Sequence, residues 1–484
     1  MRLARPILFV CFLVAGSLVS AQVNFNYSVF QTSGQGIGAV SADFNRDGYP
    51  DVAVGTNGAI EVYFSTGNGS SFGPAQSYSL PQDPNDFIAV DVNNDGWPDI
   101  VVLPSHGAQQ VEVLINNGDG SFHTGTPIQL ASPAGDYISA GDVNNDGKVD
   151  LVIEELVSLS VSPTANSKKN DVFVVYKGNG DGTFTVGQTI GLPGLASRPV
   201  LYDLNQDGNL DIAAQANKNA VIFFGRGDGT FTGPTTIPAS DSNGDNDLTV
   251  ADFNNDSYPD LAIMTAQFCG SACGVNTVYI YLNDGQGNFT RKDSSVINFV
   301  SAGGTVRAAD VNDDQNMDIV VENPANFGGG IEYALGNGDG TLGSQYEFVG
   351  ADNNPSGFAA RDVNLDSRLD VVIPTWMGNG FTYGVDSNAN INCAPPDSSK
   401  LQAKICVPAN NSNVTNPITV RGAGNSPIGV KRLEIWVDGK KLDQELNDQI
   451  AKQITLSSGV HSLTLVAVDQ YLGYASVTET IHVQ

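Results

Sequence analysis

A nine-residue acidic pattern recurs seven times along the chain, and no other feature restricts the fold as tightly. The copies are DFNRDGYPD from Asp43, DVNNDGWPD from Asp91, DVNNDGKVD from Asp142, DLNQDGNLD from Asp203, DFNNDSYPD from Asp252, DVNDDQNMD from Asp310 and DVNLDSRLD from Asp362. Successive first aspartates lie 48, 51, 61, 49, 58 and 52 residues apart. A period near fifty residues means one supersecondary unit copied, each unit burying its apolar face on the next.

The flanks of each copy define that unit. A short apolar stretch precedes it, such as Phe87–Val90, and an aliphatic run follows it: VAVG, IVVL, LVIE, IAAQ, LAIM, IVVE or VVIP. An alternating stretch comes next, for example Ile60–Phe64, Val111–Ile115 or Val278–Leu282, and ends in a glycine-rich turn with an aromatic, as in NNGDGSF to Phe122. Four strands per unit, seven units and no helical periodicity predict an all-β chain, a seven-bladed β-propeller over residues 22–392. A parallel β-helix is the competing architecture, but its repeats are far shorter. The seventh unit lacks a fourth strand after Phe381–Val385, while segment 23–31 precedes the first copy with no unit of its own. We expect this N-terminal strand to close blade 7, removing two free edges at once. Residues 395–484 carry six or seven short alternating strands and predict an Ig-like β-sandwich; EIWVDG and GVHSLTLVAVD resemble bacterial immunoglobulin-like modules.

The acidic pattern has the donors of a calcium loop. Side chains at positions 1, 3, 5 and 9 and the carbonyl at position 7 converge if the chain turns sharply at position 6. The side-chain candidates are Asp43, Asn45, Asp47 and Asp51; Asp91, Asn93, Asp95 and Asp99; Asp142, Asn144, Asp146 and Asp150; Asp203, Asn205, Asp207 and Asp211; Asp252, Asn254, Asp256 and Asp260; Asp310, Asn312, Asp314 and Asp318; and Asp362, Asn364, Asp366 and Asp370. The carbonyls belong to Tyr49, Trp97, Lys148, Asn209, Tyr258, Asn316 and Arg368. Hard oxygen donors without nitrogen or sulfur suit Ca²⁺ and disfavour zinc or copper.

A helix–loop–helix calcium loop needs Glu at position 12, where this chain has Val54, Val102, Ile153, Ala214, Ile263, Val321 and Ile373. The ninth aspartate must therefore close the site, and the loop must join two strands. Up to seven Ca²⁺ are expected, held less tightly in units 5–7, where Ser257, Gln315 and Ser367 replace the turn glycine. The competing reading is a set of side-chain-capped turns without an ion. Against it, three carboxylates within nine residues repel one another unless a cation intervenes.

On these motifs, residues 22–392 resemble the FG-GAP/VCBS repeat family, whose propellers include the head of integrin α subunits. The resemblance implies a seven-bladed ring with calcium in the loops joining the first and second strands of each blade. It implies less about function, because one ring serves adhesion proteins, lectins and some enzymes.

The first 21 residues read as a secretory signal, with Arg2 and Arg5, the apolar run Ile7–Leu18 and a small-residue cleavage site ending at Ala21. The expected location is outside the cell or in its envelope, and no other stretch is apolar enough to cross a bilayer. A formal charge of −29 argues against nucleic acid and anionic membrane surfaces as partners. Cys269 with Cys273, and Cys393 with Cys406, are expected to form short disulfides. His106, His123, His461 and His482 are scattered, which leaves a zinc site little support.

In an up-and-down blade the acidic loops and the glycine-rich turns share one face, so partners are expected on the other. Insertions at Glu154–Asp171 and Thr265–Thr277 enlarge that far face, and His106, Phe268, Phe327 and Trp376 are its candidate contact residues. Loop aromatics stack on sugars or anchor proteins, or else pack beneath their own loops. The expected function is a monomeric, calcium-stabilised extracellular adhesion or recognition module for a protein or glycan. A lectin-like propeller is the alternative, and a polysaccharide lyase or hydrolase stands third. No nucleophile elbow, His–Glu metal motif or second cluster of acids outside the calcium loops occurs, and Glu154 and Glu155 are the only catalytic candidates.

Overall fold

The computed structural model describes residues 25–483 except 67–70, 159–168, 195, 217–218, 239–245, 269–273, 293–296, 300–303, 313, 315, 324–329, 350–357, 362, 364–368, 376–379, 387–399, 409, 415–417, 427–429, 446–448 and 470–473. The described residues are all-β. The proposed signal segment lies outside them, and no described helix is long and apolar enough to cross a membrane.

Each acidic unit folds as one antiparallel sheet, here numbered 1 to 7 in chain order. Sheet 1 runs Gly38–Ala42, Asp51–Thr56, Ala59–Tyr63 and Gln76–Ser79; sheet 3 runs Ala134–Gly141, Asp150–Ser158, Lys169–Gly178 and Phe184–Gly191. Sheets 4 and 6 follow the same order from Val200 and Val306, while sheets 2 and 5 split the outer strand into two pieces, both paired with the third strand. In sheet 7, Ala359–Arg361, Asp370–Thr375 and Gly380–Asp386 are completed by Phe25–Gln31, which runs antiparallel to Gly380–Asp386 with Phe30 opposite Phe381. Those two rings stack at 5.1 Å.

The aliphatic run after each acidic loop becomes the second strand, buried along its whole length at Asp51–Thr56, Asp99–Pro104 and Asp211–Ala216. Burial on both faces explains why these strands do not alternate. Seven apolar clusters account for it, each shared by two neighbouring sheets. Ile60 and Val62 of sheet 1 join Ile100 and Val102 of sheet 2; Val101 and Leu103 join Ile138 and Leu151 of sheet 3; Phe173 and Val175 join Ile212 and Phe223 of sheet 4. Ile222 joins Leu261 and Ile263 of sheet 5, Met264 joins Ile319 of sheet 6, and Tyr333 joins Val371 of sheet 7. The series closes where Val372 and Phe381 meet Val52 and Val54 of sheet 1. Each such side chain contributes about 1.5–3 kcal/mol.

Residues 402–483 form a separate core from a three-stranded and a five-stranded sheet. Ile405, Val420 and Ile450 of the first meet Leu433, Ile435, Leu463 and Leu465 of the second.

Candidate functional site

The first five acidic loops wind on their own side chains. The first-position carboxylate accepts the sixth-position N–H, from Gly48 to Asp43 at 2.9 Å, Gly96 to Asp91 at 2.7 Å, Gly147 to Asp142 and Gly208 to Asp203 at 2.8 Å, and Ser257 to Asp252 at 2.7 Å. The third-position Asn accepts the N–H of the fifth residue, at 2.9 Å for Asp47, Asp95 and Asp146. The fifth carboxylate accepts the seventh N–H, as from Trp97 to Asp95 at 2.8 Å. Closing so small a coil needs left-handed backbone, and the turn glycines adopt it at φ 79 to 88. Ser257 does so at φ 71 without being glycine, a strained state. Position 4 is left-handed as well, at Arg46, Asn94, Asn145, Gln206 and Asn255, which the reading of position 6 alone did not anticipate. Asn is the non-glycine residue that tolerates this best.

The ninth aspartate has a structural task that the sequence reading gave only to an ion. All seven are fully buried. In every unit one oxygen accepts the N–H of loop position 2, from Phe44 to Asp51 at 2.9 Å through Val363 to Asp370 at 2.9 Å. In sheets 1–6 the other oxygen accepts an N–H from the end of the third strand, as from Asn116 to Asp99 at 2.8 Å and Gly225 to Asp211 at 2.8 Å. This residue therefore ties the loop to the hairpin behind it.

Burial, reinforced by neighbouring aspartates, raises these carboxyls, Asp51 and Asp318 to about 8, Asp99 to about 7, and Asp211 and Asp260 to about 6. First-position Asp43 rises to about 7, chiefly through desolvation. Asp43 Oδ1 and Asp91 Oδ1 are buried without a hydrogen-bond partner. A buried carboxylate oxygen in that state is costly unless something positive meets it. Among the described residues no three His, Cys, Asp or Glu side chains gather closely enough to hold an ion alone. A cation would thus also need the third-position amide and seventh-position carbonyl oxygens. The donor set fits a hard cation, since a carboxylate that accepts an N–H keeps further lone pairs.

Consecutive loops are joined through position 4. Arg46 donates to the Gly96 carbonyl and lies over the Trp97 ring at 4.6 Å; Asn145 Nδ2 donates to Asn209 Oδ1 at 2.7 Å; Gln206 Nε2 donates to the Ser257 carbonyl at 2.7 Å; and Asn255 Nδ2 donates to Asn316 Oδ1 at 2.8 Å. The glycine-rich turns reach the same face, with Gly182 N donating to Val92 O and Gly229 N to Val143 O, both at 3.1 Å.

At the other end of the first strands lies a cavity of about 840 Å³, lined by residues of sheets 1, 2, 3, 6 and 7 together with Arg198. Arg198 pairs with Asp86 at 2.7 Å, and Arg307 with Asp247 at 3.3 Å. The Arg198 guanidinium lies over the Tyr137 ring at 5.6 Å. The sequence reading passed over these residues, although a periodic signal marks them: Asp86, Tyr137, Arg198, Asp247 and Thr305 each stand five residues before the first aspartate of their loop.

Of the far-face candidates, His106 sits 3.2 Å from Asp136 at this end, both about half exposed. Phe268, expected in a loop, ends the second strand of sheet 5 opposite Gly274, because that hairpin runs longer than the insertion suggested. Glu154 and Glu155 are likewise strand residues and buried. Glu154 accepts the Asp136 N–H at 2.8 Å, and Glu155 accepts from Ser132 N at 2.6 Å and from Tyr176. Glu154 is pushed up to about 8 by burial and by nearby Asp171 and Asp136. Phe327, Trp376, Cys269, Cys273 and Cys393, with Asp362, Asn364, Asp366, Arg368 and Gln315 of the last two loops, lie outside the described residues, so both disulfide pairings remain expectations.

The FG-GAP-like repeat family matches residues 43–102, 91–153, 203–263 and 268–321, and the bacterial Ig domain family matches residues 402–465. The phosphatidylinositol-glycan-specific phospholipase D of Bos taurus is 31% identical over 139 residues, 28% of this chain and 14% of that protein. Among solved structures, an Agrocybe aegerita lectin that recognises non-reducing terminal N-acetylglucosamine is 18% identical, covering 65% of this chain and 80% of its own, with a TM-score of 0.45. A functionally unknown protein from Desulfotomaculum acetoxidans is 12% identical over 69% of this chain and 94% of its own, with a TM-score of 0.44.

Proposed function

We propose that this chain, which carries FG-GAP-like repeats and a bacterial Ig domain, is a secreted recognition module built as a seven-bladed propeller whose acidic loops take calcium. The closed series of shared cores supports the ring. The calcium reading rests above all on the buried, unpartnered Oδ1 atoms of Asp43 and Asp91. An ion there would draw on positions 1, 3, 5, 7 and 9, compensate the burial and neighbouring charge that raise these carboxyls, and rigidify the face that carries the loops. Recognition would then fall to the opposite end, free of acidic loops. Glu154 and Glu155 hold backbone amides and do not line the cavity, so they lend catalysis no support.

Thermal unfolding with calcium and with chelator tests the metal. We expect the midpoint to fall on chelation, and an unchanged midpoint refutes calcium binding. Glycan and protein binding screens, with a polysaccharide depolymerisation assay alongside, test recognition against catalysis.

A further inference from the structure

We propose that the axial cavity at the start of the first strands is a binding site for an uncharged, polyhydroxylated ligand, the end of a saccharide chain. This inference rests on the recognition reading above and assigns it a place and a chemistry. A volume of about 840 Å³ falls within the range of small-ligand sites, roughly 300–1,000 Å³.

Asp136 and Arg361 on the lining are opposite in sign, and the other charges on and behind its wall cancel in direct pairs, Asp86 with Arg198 and Asp247 with Arg307. Each pair is also anchored to backbone: Asp86 Oδ2 accepts from Ile138 N at 3.0 Å and Asp247 Oδ2 from Val306 N at 3.1 Å. An anion entering here meets Asp86 and Asp136, and a cation meets Arg198, Arg307 and Arg361. Neither gains a net partner, whereas a hydroxyl both donates and accepts and can use either kind of group. Planar carboxylate, amide and guanidinium groups held in fixed positions suit the vicinal hydroxyls of a sugar, with little ordering cost on binding.

Much of the rest of the wall is apolar, with Ala89, Ala308 and Ala360 leaving room beside the larger Phe87 and Phe358, and the Tyr137 ring, with Arg198 over it, adds aromatic surface to it. On the rim, Asn85 Nδ2 donates to the Asp136 carbonyl at 2.8 Å, so its amide oxygen remains to receive hydroxyls, as does Oδ2 of the half-exposed Asp136, whose Oδ1 lies 3.2 Å from His106. None of the described residues lining the cavity belongs to an acidic loop.

The test is a glycan array probed with the calcium-loaded chain, followed by calorimetry with the strongest oligosaccharide. Asn85→Ala and Tyr137→Ala are compared with Asp119→Ala, an exposed change in a glycine-rich turn on the opposite face. Asn85 is exposed, so its variant should fold, as the melting temperature will show. We expect neutral oligosaccharides to bind, both cavity variants to lose roughly tenfold or more in affinity, and Asp119→Ala to be unchanged. Glycan binding that both cavity variants retain, or binding restricted to charged glycans, overturns the assignment while sparing recognition. A blank array overturns it too; if a parallel extracellular-protein array gives specific binding, recognition survives, and if both arrays are blank it falls as well.

Discussion

Replacing Asp99 by Ala would strand two buried amides, Val92 N and Asn116 N. An unmet buried donor costs about 1–3 kcal/mol, so we expect a loss of about 2–5 kcal/mol, measured by urea unfolding in chelator so that no ion contributes. A loss that appears only with calcium would mean that Asp99 serves the metal alone. At the cavity, Asp86→Ala leaves the Arg198 guanidinium without its carboxylate. The expected cost is about 3 kcal/mol, of which Asp86→Leu/Arg198→Met recovers the share due to the unpaired charge but not the share of the Ile138 amide left without its acceptor. The sequence displayed the acidic residues because seven spaced copies are hard to overlook. Asp86 and Arg198 were hidden because a periodic position filled by Asp, Tyr, Arg, Asp and Thr in turn shows no dominant letter.

The acidic loop combines local winding with a link to its neighbour, and only the first is legible in one copy. Glycine at position 6 announces the turn, whereas Arg46, Asn94, Asn145 and Gln206 at position 4 share a left-handed backbone but no common side chain. Ser257→Gly relieves strain of about 1–2 kcal/mol and adds unfolded-chain entropy worth about 0.4–1 kcal/mol. We expect a net gain of about 0.5–1 kcal/mol with tighter calcium binding in that loop, measured by unfolding and calorimetry. In the C-terminal module, His461 Nδ1 lies 2.7 Å from Asp438, which raises the imidazole above its usual value, and the Asp438 carboxyl is lowered by the Ser462 N–H that it accepts at 2.8 Å and by His461. Stability from the histidine is present in full below pH 6.5, its unperturbed value, and is lost as pH rises through the raised value. The aspartate share is lost as acid takes pH below 3.8 and through the lowered value. NMR titration should show His461 titrating above the free imidazole, and Asp438→Asn should reduce the shift, the rest being held by the Ser457 carbonyl.

Over the whole molecule, the repeat period revealed seven sheets and the missing fourth strand of the last, because an unfilled place in a periodic pattern is itself a signal. The lengths of the sheet 3 and sheet 5 hairpins were not legible, since apparent insertions such as Glu154–Asp171 turned out to continue strands whose burial depends on neighbours. A chain beginning at Gly34 would expose the edge at Gly380–Asp386 and lose the Phe30–Phe381 stack. We expect its thermal midpoint to fall by roughly 10 °C, a few kcal/mol at about 2–4 °C each. It should also self-associate, seen by light scattering, and the 25–31 peptide should suppress that association. The same pairing sets a timetable for synthesis. Phe25 leaves the ribosome long before its partner Asp386, so the first strand made waits through six sheets for its place. Local hairpins can form as they emerge, but the final closure joins the most distant parts of the sequence and should be the slowest folding event. Until then the growing chain carries two open edges, which is when a chaperone or a second nascent copy would find it.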